Sequence, residues 1–328
     1  MGGTEPGWWP VLTALADGDW VSGQALADAL GVSRTAVWKQ VGRLEALGLT
    51  IENRPGRGYR LRERFELLDT AQIEEGLTEN ARRDLAALHV LAEVDSTNAW
   101  LQRDAAARTG TVVLAETQTA GRGRRGRPWV SPPGGNLFCS LRWVFGQGVA
   151  AIGGVGLVAG VAVARALQDQ GVQVRVKWPN DLVVEDAKLG GILIETSGEM
   201  TGPADLVVGV GINLAVGPRG EVIDQPWTDL RRLGLEVSRN DLAASLVGEL
   251  LTVFRRFEEE GLGPFLTEWR RLDDLAGRSV RVDTGRETVE GRAEGVDEQG
   301  RLLVRTAKGL ERFYGGEVSV RKSGRGPG

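Results

Sequence analysis

The chain has 328 residues, 41% hydrophobic and 26% charged, with a formal net charge of −4. That length predicts about two or three domains around a sizeable apolar core. One cysteine, Cys139, excludes an intrachain disulfide framework and fits a reducing compartment; one histidine, His89, leaves little room for a Cys/His zinc site or a histidine-based triad.

The first residues, MGGTEPGWWP, lack the basic stretch and apolar core of a signal peptide, so the expectation is a cytoplasmic protein. Pro10 to Ala16 is a short apolar-periodic stretch. SGQALADAL opens on a helix-cap serine, Ser22, and is read with Ala25, Leu26, Ala29 and Leu30 on one face. Gly31 makes a turn, Ser33 caps a second helix, and Val37, Val41, Leu44 and Leu47 form its stripe. LTIENRPGRGYRL then reads as a β-hairpin, giving a winged helix-turn-helix over residues 1–65. Residues 31–64 carry eight basic side chains against three acidic ones, in a chain that is net negative. Arg34, Thr35 and Lys39 lie early on the second helix, where a recognition helix meets DNA, with Gly23 and Ser33 beside them. Arg54 and Arg57 lie in the wing, suited to phosphate or the minor groove. The alternative is a small interaction domain with a solvated basic face.

Residues 66–268 alternate strand-like runs such as TVVLAE, VRVKW, DLVVE and DLVVGVGINL with helical ones, which predicts an α+β or α/β domain with a large mixed sheet. In EVDSTNAW, Ser96, Thr97 and Asn98 precede a helical run; they are read as a cap that could also hydrogen-bond a neutral polar ligand. TAGRGRRGRPW places Arg122, Arg124, Arg125 and Arg127 among three glycines. Glycine lets backbone N–H groups converge on an anion, and arginine offers a two-pronged donor for carboxylate or phosphate. Flanking strands favour a small anionic ligand over a nucleic-acid arm, with a solvated basic loop as the third reading. GVAAIGGVGLVAGVAVA, from Gly148, imitates a membrane span, but it is short and closely flanked by Arg142 and Arg165; it is read as a buried helix.

Lysine is scarce, at Lys39, Lys177, Lys188, Lys308 and Lys322. None follows a glycine, so no Walker A loop is present. KWPND and KLGGILIE, joined by LVVEDA, read as a hairpin gathering Lys177, Asn180, Asp181 and Lys188, a set suited to a phosphate with a divalent cation. Beyond residue 269 the period changes: SVRVDTG, RLLVRTA and GLERFYGGEVSVR are short alternating strands of a small β-barrel over 269–322, with a disordered tail at 323–328.

EVDSTNAW, ETQTAGRGRRGRPWVSPPGGNLF, VKWPNDL, KLGGILIE and VGVGINL, in that order, resemble the biotin–protein ligases, and the helix-turn-helix in front makes the chain similar to the bifunctional ligases that also repress the biotin operon. The resemblance spans essentially the whole chain. It implies a class II synthetase-like central domain, an SH3-like C-terminal barrel, and a reaction of biotin with ATP through biotinyl-5′-AMP onto one lysine of a biotin carboxyl carrier protein. It places biotin at Ser96, Thr97, Asn98, Gln118, Arg122, Gly123, Arg124 and Lys188. It places the nucleotide or adenylate at Arg122, Arg124, Arg125, Trp129, Lys177, Asn180, Lys188, Asn213 and Trp227. Lys188, Asp181 and Arg124 would carry the chemistry, with Asp181 orienting or deprotonating the incoming amine. Mg2+ would come with ATP, and no protein ligand for a metal is expected. The adenylate would also be the corepressor of a homodimer on a two-fold operator. Pro128, where a basic residue is common in the family, and Pro132-Pro133 would stiffen the loop. Three other readings stand beside this one: a ligase whose DNA-binding domain no longer regulates, a ligand-sensing transcription factor, and a lipoate ligase.

Overall fold

In the computed structural model of the chain, the residues described are 5–63, 66–146, 148, 152–198, 202–315 and 318–322. The first unit holds α1 (Trp9–Leu15), α2 (Gly23–Leu30), α3 (Arg34–Ala46) and the antiparallel pair β1 (Ile51–Arg54) and β2 (Gly58–Leu61). Ser22 Oγ accepts from Ala25 N at 3.0 Å and Ser33 Oγ from Ala36 N at 3.2 Å, so both expected caps form. The α2 face is corrected: Leu26 and Ala27 are buried and Leu30 is half-buried, while Ala25 and Ala29 face solvent. The leucines and Ala27 turn toward Trp8, Leu12, Val37 and Leu44, all buried. Truncating Leu26 in that core would cost about 2–5 kcal/mol. Gly58 has φ +99°, and a Cβ there would overlap the Val21 carbonyl, so the wing folds closely onto the segment before α2 only because no side chain intervenes.

The central unit starts with α4 (Thr70–Glu75) and α5 (Glu79–Asp84) and continues through β3 (Ala87–Leu91), α6 (Thr97–Arg103), β4 (Thr111–Ala115), β5 (Asn136–Phe145), α7 (Val155–Asp169), β6 (Arg175–Lys177), β7 (Asp181–Val184), β8 (Ala187–Gly198) and β9 (Ala204–Asn213). The seven strands form one sheet in the order β3-β4-β5-β9-β8-β7-β6, with β3 and β4 parallel and the other pairs antiparallel. The glycine- and alanine-rich stretch supplies α7, whose Val158, Val161, Ala162 and Val163 are fully buried. It packs against α8 (Arg239–Glu260) and α9 (Gly263–Leu272). No helix among the described residues is long and apolar enough to cross a membrane. The boundary expected at 268/269 falls inside α9, which packs as one helix through the buried Phe265, Leu266, Trp269 and Leu272.

The last unit is a five-stranded antiparallel sheet of β10 (Ser279–Asp283), β11 (Thr288–Val296), β12 (Leu302–Thr306), β13 (Gly309–Phe313) and β14 (Ser319–Lys322), ordered β13-β12-β11-β10-β14. Alternation puts Val280, Val282, Ala293, Leu302 and Val304 inside. The tail expected at 323–328 and the boundary at residue 65 lie outside the described residues.

Candidate functional site

A cavity of about 1010 Å³ opens over one part of the large sheet. Ser96, Thr97, Asn98, Gln118, Arg122, Gly123, Arg124, Arg125, Trp129, Lys177, Asn180, Asp181, Lys188, Asn213 and Trp227 all line it. Residues drawn from five separated sequence motifs therefore share one enclosure. Leu47 of the first unit and Val318, Val320 and Arg321 of the last also reach it.

One end of the cavity is neutral and polar. Ser96 caps α6, accepting from Ala99 N at 3.5 Å. Thr97 N donates to Gln118 Oε1 at 2.9 Å, which leaves the Gln118 amide nitrogen as the donor for a ligand. Ser140 Oγ lies 2.7 Å from Thr97 Oγ1 and 2.6 Å from Asn98 Oδ1. Asn98 Nδ2 donates to Glu195 Oε2 at 2.8 Å and to the Leu193 carbonyl at 3.3 Å. A Cβ on Gly209 would overlap Asn98 Oδ1, so this strand must carry glycine for Asn98 to sit where it does. Ser140, Glu195 and Gly209 escaped the sequence reading. The available signals were a polar residue inside the apolar run of β5 and a charge ending that of β8.

The arginine loop is a tight reversal. Gly123 N donates to Arg127 O at 2.8 Å, Trp129 N donates to Gly121 O at 2.9 Å, and Arg125 takes φ +57°. Its arginines divide in two. Arg122 pairs with Glu195 at 3.0 Å. Arg124 donates to Asn180 Oδ1 at 3.3 Å, to Val318 O at 3.0 Å and to the Gly315 carbonyl, so the C-terminal unit holds this loop. Burial lowers the Arg124 pKa, and Asp181 opposes that shift. Arg125 and Arg127 are exposed.

The hairpin of β7 and β8 turns through Glu185 and Asp186, both at positive φ, and carries Lys188 back beside Asp181 with Nζ to Oδ1 2.6 Å. Lys188 Nζ is also 5.3 Å from the Trp129 ring centroid. That ring lies on a glycine floor: a Cβ on Gly191 or Gly211 would come within 3.2 and 3.1 Å of it. Burial lowers the Lys177 pKa, against the pull of Asp181 and Asp274. Lys188 exchanges backbone hydrogen bonds with the segment around Trp227, through Lys188 N to Pro226 O at 3.0 Å and Thr228 N to Lys188 O at 2.9 Å. Asn213 donates to Thr228 O and accepts from Asn136 Nδ2, each at 3.0 Å; its amide fixes the Trp227 segment. Among the described residues no group of three or more His, Cys, Asp or Glu side chains is placed to hold a metal ion.

A second groove, of about 590 Å³, runs between α2, α3 and the wing. Gly23, Arg34, Thr35 and Arg54 line it, together with Trp38, which is 62% exposed. Ser33 spends its hydroxyl on the cap, and Lys39 and Arg57 are exposed outside the groove lining. Arg54, Arg57 and Arg60 all lie over Trp20, at 5.2, 5.6 and 4.9 Å from its ring centroid, so one indole gathers the wing arginines. Neither Trp20 nor Trp38 was legible as part of this face.

A mixed sheet bearing a polar-ended, cation-rimmed cavity thus stands behind a winged helix-turn-helix. Residues 90–213 match the biotin/lipoate A/B protein ligase family, 11–60 match an HTH domain family, and 276–321 match the biotin protein ligase C-terminal domain. The chain is 41% identical over 316 residues to the bifunctional ligase/repressor BirA of Salmonella typhimurium, covering 95% of this chain and 97% of that one. It is 31% identical to BirA of Bacillus subtilis, covering 94% and 96%. Among solved structures, biotin protein ligase from Aquifex aeolicus in complex with biotin and ATP is similar, with a TM-score of 0.64 and 28% identity, over 73% of this chain and 100% of that one. The chain belongs to the BirA family of bifunctional ligase/repressors.

Proposed function

We propose that the protein is an ATP-dependent biotin–protein ligase whose adenylate intermediate also serves as corepressor of biotin genes. The observation that carries the reading is the single cavity that combines a neutral hydrogen-bonding end with a lysine–arginine rim. Biotin offers the same division, a neutral ureido ring and a carboxylate. The dithiolane of lipoate would offer no acceptor to the Gln118 amide nitrogen, whose oxygen is already taken by Thr97 N, at about 1–3 kcal/mol for the unmet donor.

In the first step, a biotin carboxylate oxygen bonds to the α-phosphorus of ATP, the bond to the bridging oxygen breaks, and pyrophosphate leaves. Two anions must meet, so fixed positive charge lowers the barrier. Lys188 and Arg124 supply it, with Lys177 and Asn180 on the nucleotide side; Trp129 and Trp227 shelter the adenosine. Mg2+ would neutralise phosphate oxygens when it arrives with the nucleotide. In the second step, the ε-amine of the carrier lysine bonds to the acyl carbon, the bond to the phosphate oxygen breaks, and AMP leaves. That amine starts protonated, with an ordinary pKa of ~10.4, and Asp181, beside Lys188, would orient it and take its proton. Closure of the arginine loop over the ligand would keep water from the mixed anhydride. Adenylate-loaded protein would then dimerise on a two-fold operator in the cytoplasm, reading DNA through the α3–wing groove. The test of the ligase reading is biotin-dependent exchange of labelled pyrophosphate into ATP. Exchange that needs biotin supports it; exchange driven by lipoate and not by biotin would replace it with the lipoate reading.

A further inference from the structure

The neutral end of the cavity and the arginine loop are joined by one line of hydrogen bonds. An amide oxygen carries no proton, so Ser140 must donate to Asn98 Oδ1 at 2.6 Å. Ser140 therefore accepts from the Thr97 hydroxyl at 2.7 Å. Asn98 passes the line on by donating to Glu195 at 2.8 Å, and Glu195 receives Arg122 from the other side at 3.0 Å. Thr97, Asn98 and Ser140 are 4%, 3% and 0% exposed, so these bonds have little competition from water. Glu195 does not line the cavity, whereas Thr97, Asn98 and Arg122 do.

We propose that Glu195 is a positioning residue that latches the arginine loop to the neutral end of the cavity, so that a ligand ring held by Thr97 and Asn98 fixes the loop through Arg122. The proposal rests on the biotin-ligase reading. A ligand ring that engages Thr97 and Asn98 holds the Asn98 amide in place, and with it the Glu195 carboxylate that this amide and Arg122 share. Without that carboxylate, the ring site still holds its ligand, but the loop no longer senses it.

The test is hydrogen exchange of the amides in residues 119–130, followed by mass spectrometry on the full chain with and without biotin, alongside equilibrium dialysis of biotin. In the unchanged protein, biotin slows exchange of these amides by at least ~5-fold, the low end of coupling between linked sites. Glu195→Gln keeps an acceptor for Asn98 but removes the charge from Arg122. It is expected to bind biotin while losing the slowing to within ~2-fold. At saturating biotin, Arg122→Gln should lose the slowing too, whatever its effect on affinity, and the double variant should slow exchange no less than either alone, as for two members of one interaction. The second variant alters only the loop side, so a shared loss cannot be a folding defect of β8. Slowing that persists in both variants overturns the latch, as does biotin binding to the unchanged protein with no effect on loop exchange. Failure of the unchanged protein to bind biotin overturns the ligase reading, and the latch with it.

Discussion

Lys188 stands between a carboxylate 2.6 Å away and an indole face 5.3 Å away. A ligand phosphate or carboxylate that approaches it must compete with Asp181; in the proposed reaction Lys188 would turn to the ligand and Asp181 would be released for the incoming amine. Lys188→Ala is expected to slow adenylate formation by roughly 10²–10³-fold, the usual cost of removing one preorganised charge donor. Pyrophosphate exchange measures it, and a rate within ~3-fold of normal would remove Lys188 from the first step. Gly209 makes a different kind of contribution. Gly209→Ala forces a methyl against Asn98, at an overpacking cost of about 1–3 kcal/mol, and is expected to weaken biotin binding about 10-fold or more while the fold persists. Calorimetric titration with biotin checks it. Lys188, Asp181 and the loop arginines were legible because lysine is rare and the arginines are clustered. Ser140 and Glu195 were not, because they meet Asn98 across strands 42 and 97 residues distant.

At the scale of elements, local signals settled most of the outcome. Ser22 and Ser33 cap the helices they precede, and the segment between KWPND and KLGGILIE turns as a hairpin. The facing of α2 was misread, since a helix of 8 residues offers too few turns for alanine positions to fix its orientation. The wing owes its order to a tertiary contact that periodicity cannot reveal: three arginines share Trp20. Arg54→Ala is therefore expected to weaken DNA binding evenly across sequences and to lower the slope of log affinity against log salt by about 1, as for one lost phosphate contact. Binding to a fixed duplex across a salt series measures the slope, and an unchanged slope would take Arg54 off the DNA backbone.

At the scale of the molecule, the cavity is where three units meet. Arg124 reaches the carbonyls of Gly315 and Val318, Arg219 reaches the carbonyl of Ala46, and Trp178 Nε1 donates to Gly300 O at 3.1 Å. None of these contacts has a sequence signature, because each pairs segments more than 100 residues apart. Asp273 lies at the junction with the C-terminal sheet, where burial pushes its pKa up to about 6. A folded-state pKa raised above the unfolded value of 3.8 means stability that is complete below about pH 4 and lost as pH rises through 6. Relative to Asp273→Asn, the unchanged protein should lose ~2–3 kcal/mol between pH 4 and 6.5 and nothing further above that range. Urea unfolding of both proteins across that range tests it, and parallel curves would contradict the assignment.

The central claim, that this cavity joins biotin to a carrier lysine, has a direct measurement: the intact mass of a biotin carboxyl carrier domain after incubation with the protein, biotin and Mg-ATP. The expected result is a gain of one biotinyl group, dependent on ATP and abolished by replacing the acceptor lysine of the carrier. An unmodified carrier, with no adenylate bound to the protein, would contradict it and leave the DNA-facing groove as the main site of function.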